Sequence, residues 1–236
     1  MELSAPHASR REQAKEERRR RIVDAAHALL REIGIDKLSI KLIADRAAVS
    51  PATIYNLFGV RGAVLVQVFD RDLQTFQAMV DALPSQDALE RIFDAIHVSV
   101  QLYRKDQAFY RATMTIRGKG GSKEADALAS DVIEPRTRFW VTMVERAVIE
   151  RFLKAETHPR LVGVTLTQIV VGAISDWACD LITLDRLELE ICFGFSVILR
   201  HYATPLAAAR LSTRIERYQA LLAAEANRRA RHPPRG

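Results

Sequence analysis

The stretch VSPATIYNLFG, residues 49–59, combines side chains that can bind a nucleic acid. The hydroxyls of Thr53 and Tyr55 can hold phosphate oxygens, as can the amino terminus of a helix. The apolar atoms of Pro51 and Ala52 can contact the methyl group of thymine. These residue types suit either a solvated helix face or a face that lies on DNA.

The helix predicted over this stretch is short. Ser50 can cap its first turn, Pro51 suits the first helical position because its missing N–H needs no partner there, and Gly59 can end it. A helix of this length is unstable alone in water, so neighbouring helices must hold it. The residues left facing solvent or DNA are Pro51, Ala52, Thr53, Tyr55 and Asn56.

The residues before this helix predict a helix-turn-helix. Ser39 can cap the preceding helix, in which Ala44 is the small residue where the two helices touch. Ala48 is the turn residue, and Ile54 is the apolar anchor of the second helix. We expect the exposed face of the second helix to be free to enter a major groove.

An amphipathic helix further upstream completes a predicted three-helix core. Its apolar residues recur at helical spacing, and Gly34 should end it. Val49, Ile54 and Phe58 are expected to pack against this helix. Its apolar face consists of Ile22, Ala26, Leu29, Leu30 and Ile33.

Helical periodicity continues through the chain and strand alternation is nearly absent, which predicts an all-α fold. Residues 161–175, LVGVTLTQIVVGAIS, carry no charge and should be buried on several faces. They are too few for a membrane span of about 20 residues, because Asp176 and Asp180 follow. Further helices are predicted near residues 63–82, 89–103, 107–117, 124–154, 160–183, 186–203 and 207–231.

Composition and charge restrict the class of protein. The 236 residues are 48% hydrophobic, which is typical of a folded globular chain. The net charge is +6, and basic residues exceed acidic ones in 1–62 and 206–236 but not in 63–205. A basic segment can bind a polyanion or be merely solvated. Cys179 and Cys192 show no metal or redox spacing, and the first residues lack the apolar core of a signal peptide, so we expect a cytoplasmic protein without a metal or cofactor.

Residues 17–62 resemble the amino-terminal DNA-binding domain of the TetR family of bacterial transcriptional regulators. The resemblance is carried by RRIVDAAHALLREIGIDKLSIKLIADRAAVSPATIYNLFGVRGAVL and by the core pattern IA..A.VS..TIY..F within it. Ala48 stands where the family usually has glycine. Matching positions imply a DNA-binding surface made of Lys41, Ser50, Pro51, Ala52, Thr53, Tyr55, Asn56 and Arg61.

The resemblance implies a homodimer that binds a palindromic operator and responds to a small-molecule effector. The implied domains are a flexible basic arm (1–16), the helix-turn-helix domain (17–62), a helical regulatory and dimerisation domain (63–205) and a basic helical tail (206–236). A four-helix dimer seam would include Val164, Gln168, Val171, Gly172, Phe195 and Leu199, although a purely internal core is the alternative for these residues. Candidate residues for an effector pocket are Tyr103, Phe109, Tyr110, Met114, Phe139, Trp140, Met143 and Trp177.

Two other classes of function compete with this interpretation. An enzyme finds no support, because the GKGGSK run at 118–123 lacks the phosphate-loop spacing and no nucleophile has a recognisable partner. A membrane-surface protein would lay the arginine-rich start and the tail from Leu206 to Arg235 on anionic lipid. Docking of that tail onto the rest of the chain explains its apolar stripe better. Arginines 18–21 suit a solvated helix start or a contact with the DNA backbone equally well.

Overall fold

The computed structural model of the protein describes residues 10–84, 87–118 and 123–231, without the side chains of 114–118, 123–129 and 228–231. Over these residues the chain forms ten helices and no strand, with one isolated antiparallel bridge between Leu153 and Ala203. The predicted all-α fold is confirmed. The helices are α1 (Arg10–Lys37), α2 (Ile40–Ala47), α3 (Pro51–Phe58), α4 (Arg61–Asp81), α5 (Ala88–Lys105), α6 (Gln107–Gly118), α7 (Lys123–Ile149), α8 (Pro159–Ala178), α9 (Leu184–Tyr202) and α10 (Pro205–Arg231).

The chain divides into two compact units. The first contains the described residues up to Asp72 together with Arg111–Ala129, and the second contains Leu73–Tyr110 and the residues from Ser130 onward. The boundary therefore lies within α4 and not at the predicted residue 62. We call the first unit the head and the second the regulatory unit.

Helix α1 begins earlier than predicted. Residues 10–16, predicted as part of a flexible arm, are helical, because they are rich in Arg, Glu, Gln, Ala and Lys, which all favour helices. The break expected at Gly34 is present, where the backbone has φ 73° and ψ 173°. Residues 1–9 lie outside the described part of the chain.

Helices α1, α2 and α3 enclose the core of the head. Ile22, Ile43, Ala44 and Ile54 are completely buried. Each of the three isoleucine side chains contributes about 1.5 to 3 kcal/mol to folding when it is removed from water. This core supports α3, which with eight residues could not persist alone.

The turn between α2 and α3 follows the predicted geometry. Ser39 caps α2 by accepting a hydrogen bond from the Leu42 N–H at 3.2 Å. Ala48 adopts the left-handed conformation, with φ 52° and ψ 50°, and the Val49 N–H donates to the Ala44 carbonyl at 3.0 Å. The sharp reversal of the chain places α3 against α2 with α3's remaining side exposed.

In the regulatory unit, α9 packs against α5, α8 and α10. Close approach of α7 and α8 depends on Gly163, because a Cβ added there would lie 2.6 Å from Val141 Cγ2 and 2.9 Å from its Cα. Gly172, also on α8, is exposed and has no atom within 4 Å of such a Cβ. Of these two glycines of α8, Gly163 allows a close helix contact within the protomer.

Helix α8 extends beyond the charge-free residues 161–175 at both ends and includes Arg160 and Asp176. Among the described residues it is the one single helix long and apolar enough to cross a membrane, although only 39% of its apolar window is buried in the protomer. Helices α3 and α4 meet the same criteria only when taken together across a 67° bend. Length and composition alone do not separate a span from a helix that packs against protein.

Helix α10 docks onto the regulatory unit as the apolar stripe of the tail predicted. Leu211 is completely buried and Tyr218 is 6% exposed. Arg210 donates to Asp87 at 3.0 Å and also pairs with Glu90, which connects α10 to α5. Arg214 lies 4.1 Å from the centre of the Phe93 ring, close enough for a cation–π contact.

Candidate nucleic-acid interface

The amino end of α3 is fixed by its cap. Ser50 has an extended backbone, and its Oγ accepts a hydrogen bond from the Thr53 N–H at 3.2 Å. The hydroxyl oxygens of Ser50 and Thr53 lie 2.9 Å apart and form a hydrogen bond in which either hydroxyl can donate. Both side chains are therefore oriented before any ligand binds, and Thr53 Oγ1 keeps a lone pair for a further partner whichever hydroxyl donates.

The face of α3 opposite Ile54 carries the predicted contact residues. Pro51, Ala52 and Asn56 are exposed, and the Tyr55 side chain is 54% exposed. Thr53 is half-buried because of its contact with Ser50. Lys41, on α2, is also exposed. The structure thus gathers hydroxyl, amide and apolar groups on one side of one short helix.

Arg61, predicted to bind phosphate, is the first residue of α4 and already has partners in the head. Its Nη1 donates to the Leu38 carbonyl at 2.7 Å and lies 3.5 Å from that of Ile35. A guanidinium has five N–H donors, so these contacts leave others for a phosphate. Its role toward DNA stays a prediction, whereas its role in joining α4 to the end of α1 is structural.

Arg19 is a residue that the sequence did not single out among arginines 18–21. It turns toward the interior of the head, where its Nη1 donates to the Leu57 carbonyl at 2.8 Å and its guanidinium covers the Phe58 ring at 4.5 Å. The signal was its spacing, since Arg19 precedes Ile22 and Ala26 by three and seven residues and so continues the buried stripe of α1.

Ion pairs connect the helices that support α3. Arg46 of α2 pairs with both oxygens of Glu32 on α1 at 2.9 and 2.7 Å, and its hydrogen bond lowers the pKa of that carboxyl. Arg71 of α4 pairs with Asp24 of α1. These four side chains are exposed, so the pairs add little free energy and serve to fix the arrangement of the helices.

The candidate pocket residues of the regulatory unit form two groups of ring contacts. The ring centre of Tyr103 lies 4.5 Å from that of Tyr110 and 6.2 Å from that of Trp177. The ring centres of Phe109 and Tyr110 are 5.0 Å apart. All of these rings are at most 8% exposed. They form part of the core of the unit, and whether any of them contacts an effector stays a prediction.

The second group is centred on α7. The ring centre of Phe139 lies 4.8 Å from that of Phe76 and 5.0 Å from that of Trp140. The ring centres of Trp140 and Phe195 are also 5.0 Å apart. Met143 is 5% exposed, whereas the side chain of Met114 lies outside the described residues. The described candidates are thus distributed over two separate sets of contacts.

The predicted dimer residues divide by burial. Val164, Gln168 and Gly172 are exposed and Val171 is half-buried, so one side of α8 is open to a partner. Phe195 and Leu199 of α9 are completely buried in the protomer and offer a second copy no surface, which corrects their assignment. The exposed apolar residue of α9 is Val197, at 42% exposure, which the sequence reasoning missed. Its offset of two residues from Phe195 turns it to the opposite side of the helix.

The chain thus has the architecture of a helix-turn-helix protein, in which a preorganised polar face is joined to an all-helical unit. Comparison with known proteins gives the family. Residues 22–68 match the model of the bacterial regulatory proteins of the tetR family. The head therefore contains a TetR-family DNA-binding domain, as the sequence predicted.

The most similar proteins share either the head or the fold. The transcriptional repressor KstR of Rhodococcus jostii is 32% identical over 79 residues, which are 34% of this chain and 37% of that protein. The chain thus spans about a third of the length of the curated relatives it matches.

Solved structures match over most of the chain at low identity. A TetR-family protein from Syntrophomonas wolfei has a TM-score of 0.66 at 17% identity and covers 78% of this chain and 96% of its own. Thermus thermophilus FadR, a repressor in complex with lauroyl-CoA, has a TM-score of 0.63 at 18% identity. The match covers 79% of this chain and 95% of the FadR chain. At these identities the likeness establishes the fold.

Proposed function

We propose that the protein is a homodimeric transcriptional repressor that binds a palindromic operator and is released from it by a small-molecule effector. The observation that carries this proposal is the exposed face of α3, which lies opposite the completely buried Ile54 within the family's DNA-binding domain. KstR is a transcriptional repressor, and its similarity to this chain over about a third of each protein supports repression over activation.

The residues of α3 and its flanks have distinct roles in the proposed DNA binding. The amino end, capped by Ser50, directs backbone N–H groups and the positive pole of the helix dipole toward phosphate. Tyr55 adds a hydroxyl for the DNA backbone, and Pro51 and Ala52 contact thymine methyl groups in the major groove. Lys41 and Arg61 add positive charge on either side of α3.

Dimerisation through α8 and α9 would bring a second head into the assembly. Leu161, Val164 and Val197 are apolar side chains that are 63%, 37% and 42% exposed in the protomer. Burial of such a surface removes apolar area from water, and Gly172 leaves room for a partner helix to approach. Because two identical heads would be related by a two-fold axis, the operator should contain two inverted half-sites.

The effector is proposed to be a largely apolar small molecule that binds in the regulatory unit. Thermus thermophilus FadR carries lauroyl-CoA, and the buried rings of the present unit offer apolar contacts. Effector binding would favour a spacing of the two heads that does not fit the operator. A coupling of about 1 to 3 kcal/mol is typical of such a shift.

Membrane-surface binding is the less favoured function, because much of the apolar stripe of α10 is buried against the rest of the regulatory unit. Ala207 and Leu211 are completely buried on the regulatory unit, so they are not available to lipid. We propose that the protein is cytoplasmic and non-enzymatic, as the TetR-family head supports.

The decisive experiment selects bound fragments from a library of random duplexes and measures the salt dependence of binding. If the two heads together neutralise about 6 to 10 phosphates, affinity should fall about 1,000-fold or more between 50 and 200 mM salt. Enriched sequences should contain inverted half-sites. A flat salt response, or binding to anionic vesicles in place of DNA, would refute the proposal.

A further inference from the structure

Arg19 lies on α1, outside the helix-turn-helix, and contacts the last turn of α3. Its Nη1 donates a hydrogen bond of 2.8 Å to the carbonyl oxygen of Leu57. Its guanidinium carbon lies 4.5 Å from the centre of the Phe58 ring. The Arg19 side chain is 28% exposed, whereas that of its neighbour Arg20 is 67% exposed. Arg19 is therefore built into the head, and Arg20 projects into solvent.

The contact supplies a partner that α3 cannot provide for itself. The carbonyls of the last four residues of any helix have no partner within the helix. At the end of α3, the Gly59 N–H satisfies the Tyr55 carbonyl at 2.9 Å, and Arg19 satisfies that of Leu57. A cation at this end is also favoured by the helix dipole. Arg19 thus caps α3 from another helix.

The position of the cap matters because α3 is short. Ser50 fixes the amino end of α3, and Ile54 anchors its middle in the core. Arg19 and the Phe58 ring fix the carboxyl end. Groups that recognise a ligand must be held within about 0.5 Å of their productive positions by the residues behind them. A small rotation of an eight-residue helix would displace its whole exposed face.

We infer that Arg19 is a positioning residue for DNA recognition: by capping α3 from α1, it sets the orientation of the exposed face and raises the preference for operator over other DNA. This inference rests on the proposed function. It distinguishes Arg19 from a phosphate-binding arginine, which would raise the affinity for every duplex alike.

The test compares Arg19→Gln with Arg20→Gln, which remove the same charge from adjacent positions of one helix. Two probes are used: the duplex that the unaltered protein enriches from a random library, and a scrambled duplex of the same base composition. Dissociation constants are measured for both over a range of salt concentrations, at a temperature where circular dichroism shows all proteins folded.

For Arg19→Gln, we expect the ratio of the two affinities to fall about tenfold, because a hydrogen bond to a charged group is lost in each head. The dependence of the affinity on salt should not change. Arg20→Gln should change the ratio less than about twofold, although it weakens binding to both duplexes if Arg20 contacts phosphate.

Other outcomes overturn the inference. An equal loss of affinity on both duplexes with a weaker salt dependence would make Arg19 a phosphate contact, and an unchanged ratio would give it no role in recognition. If Arg19→Gln does not fold, Phe58→Leu, which removes the ring but keeps an apolar side chain, must lower the ratio, and an unchanged ratio there refutes the inference. If the unaltered protein enriches no duplex, the proposed function fails first, and the inference fails with it.

Discussion

Ile54 and Tyr55 are consecutive residues of α3, yet the side chain of Ile54 is completely buried and that of Tyr55 is 54% exposed. The helix places one in the core of the head and the other in solvent, since successive side chains are rotated by about 100°. Substitutions at these neighbouring positions should therefore separate the stability of the head from its affinity for DNA.

At Tyr55, replacement by Phe keeps the ring and removes the hydroxyl. We expect a loss of about 0.5 to 1.5 kcal/mol of binding free energy per head, or up to about 3 kcal/mol if the partner is a phosphate. Tyr55→Ala should weaken binding further, with an unchanged dimer and an unchanged melting temperature. Fluorescence anisotropy with an enriched duplex measures both losses. Wild-type affinity in both variants would place the DNA-binding surface elsewhere.

Ile54→Ala is the matched control for these variants. It leaves a cavity in the core of the head, which should lower the free energy of unfolding by about 2 to 5 kcal/mol. Thermal melting followed by circular dichroism should detect this loss without any DNA present. Stability equal to that of the unaltered protein would contradict the packing described for α3.

The two glycines of α8 predict opposite effects of the same substitution. Gly163→Ala should destabilise the protomer by about 1 to 3 kcal/mol, because the new methyl group would overlap Val141. Gly172→Ala meets no atom within 4 Å in the protomer and should stabilise the monomer by about 0.5 to 1 kcal/mol, although in the proposed dimer its methyl group would occupy the room that the partner helix uses. Urea unfolding of the monomer gives both values, and equal effects would argue against the close approach of α7.

The proposed dimer can be tested at an exposed apolar residue of α8. Val164→Asp places a charge on the open side of α8 and should convert the dimer to a monomer at micromolar concentrations, because an unpaired charge is costly to bury. Leu181→Asp is the control, since Leu181 is 64% exposed but follows the end of α8. Multi-angle light scattering reports the mass. A monomeric unaltered protein would remove the dimer from the proposal.

The pair of His97 and Glu188 predicts a loss of stability as the pH rises. The hydrogen bond that His97 Nδ1 donates to the Glu188 carboxylate raises the pKa of His97, against the opposing effect of burial. The stabilisation is therefore complete below about pH 6.5, the ordinary histidine pKa, and disappears as the pH rises through the raised value. It should amount to at most about 1 kcal/mol, because His97 is nearly half exposed.

Melting temperatures between pH 5.5 and 9 check this sign. The unaltered protein should lose stability over this range, and Glu188→Gln should show a smaller loss because the raised pKa of His97 is no longer supported. A loss of the same size in both proteins would assign the pH dependence to other groups.

The two cysteines should differ in reactivity. Cys179 is exposed, whereas Cys192 is buried and desolvation raises the pKa of its thiol to about 12. Since the thiolate is the reactive form, a thiol reagent at pH 8 should modify Cys179 alone in the native protein and both residues in guanidinium. Mass spectrometry counts the modified residues. Fast modification of Cys192 would contradict the packing of α9 against α10.

The sequence predicted the helices and the head well because local signals there agree. Ser39 and Ser50 cap helices by their own side chains, and Ile54 lies where the helical period puts a buried anchor. The extension of α1 to Arg10 was not predicted, because an exposed polar helix lacks the apolar period on which recognition depends.

Contacts between distant segments were the part that the sequence could not supply. The helical period of α1 puts Arg19 on the buried side and Arg20 on the exposed side, but the partners of Arg19 follow only from the position of α3. On α9, the apolar residues Phe195 and Val197 are equally consistent with a seam or a core until the packing of α8 is known. The role of Arg61 in holding the Leu38 carbonyl was hidden for the same reason.

Ala48 adopts a left-handed backbone although it carries a Cβ. The helices on either side, and not the turn residue itself, therefore dictate the shape of the turn, at a cost of about 1 kcal/mol relative to glycine. A residue whose conformation is imposed in this way can drift during divergence without loss of the fold. A search pattern that demands glycine at this turn would pass over chains such as this one, whereas a pattern built on the buried anchors at Ala44 and Ile54 would find them.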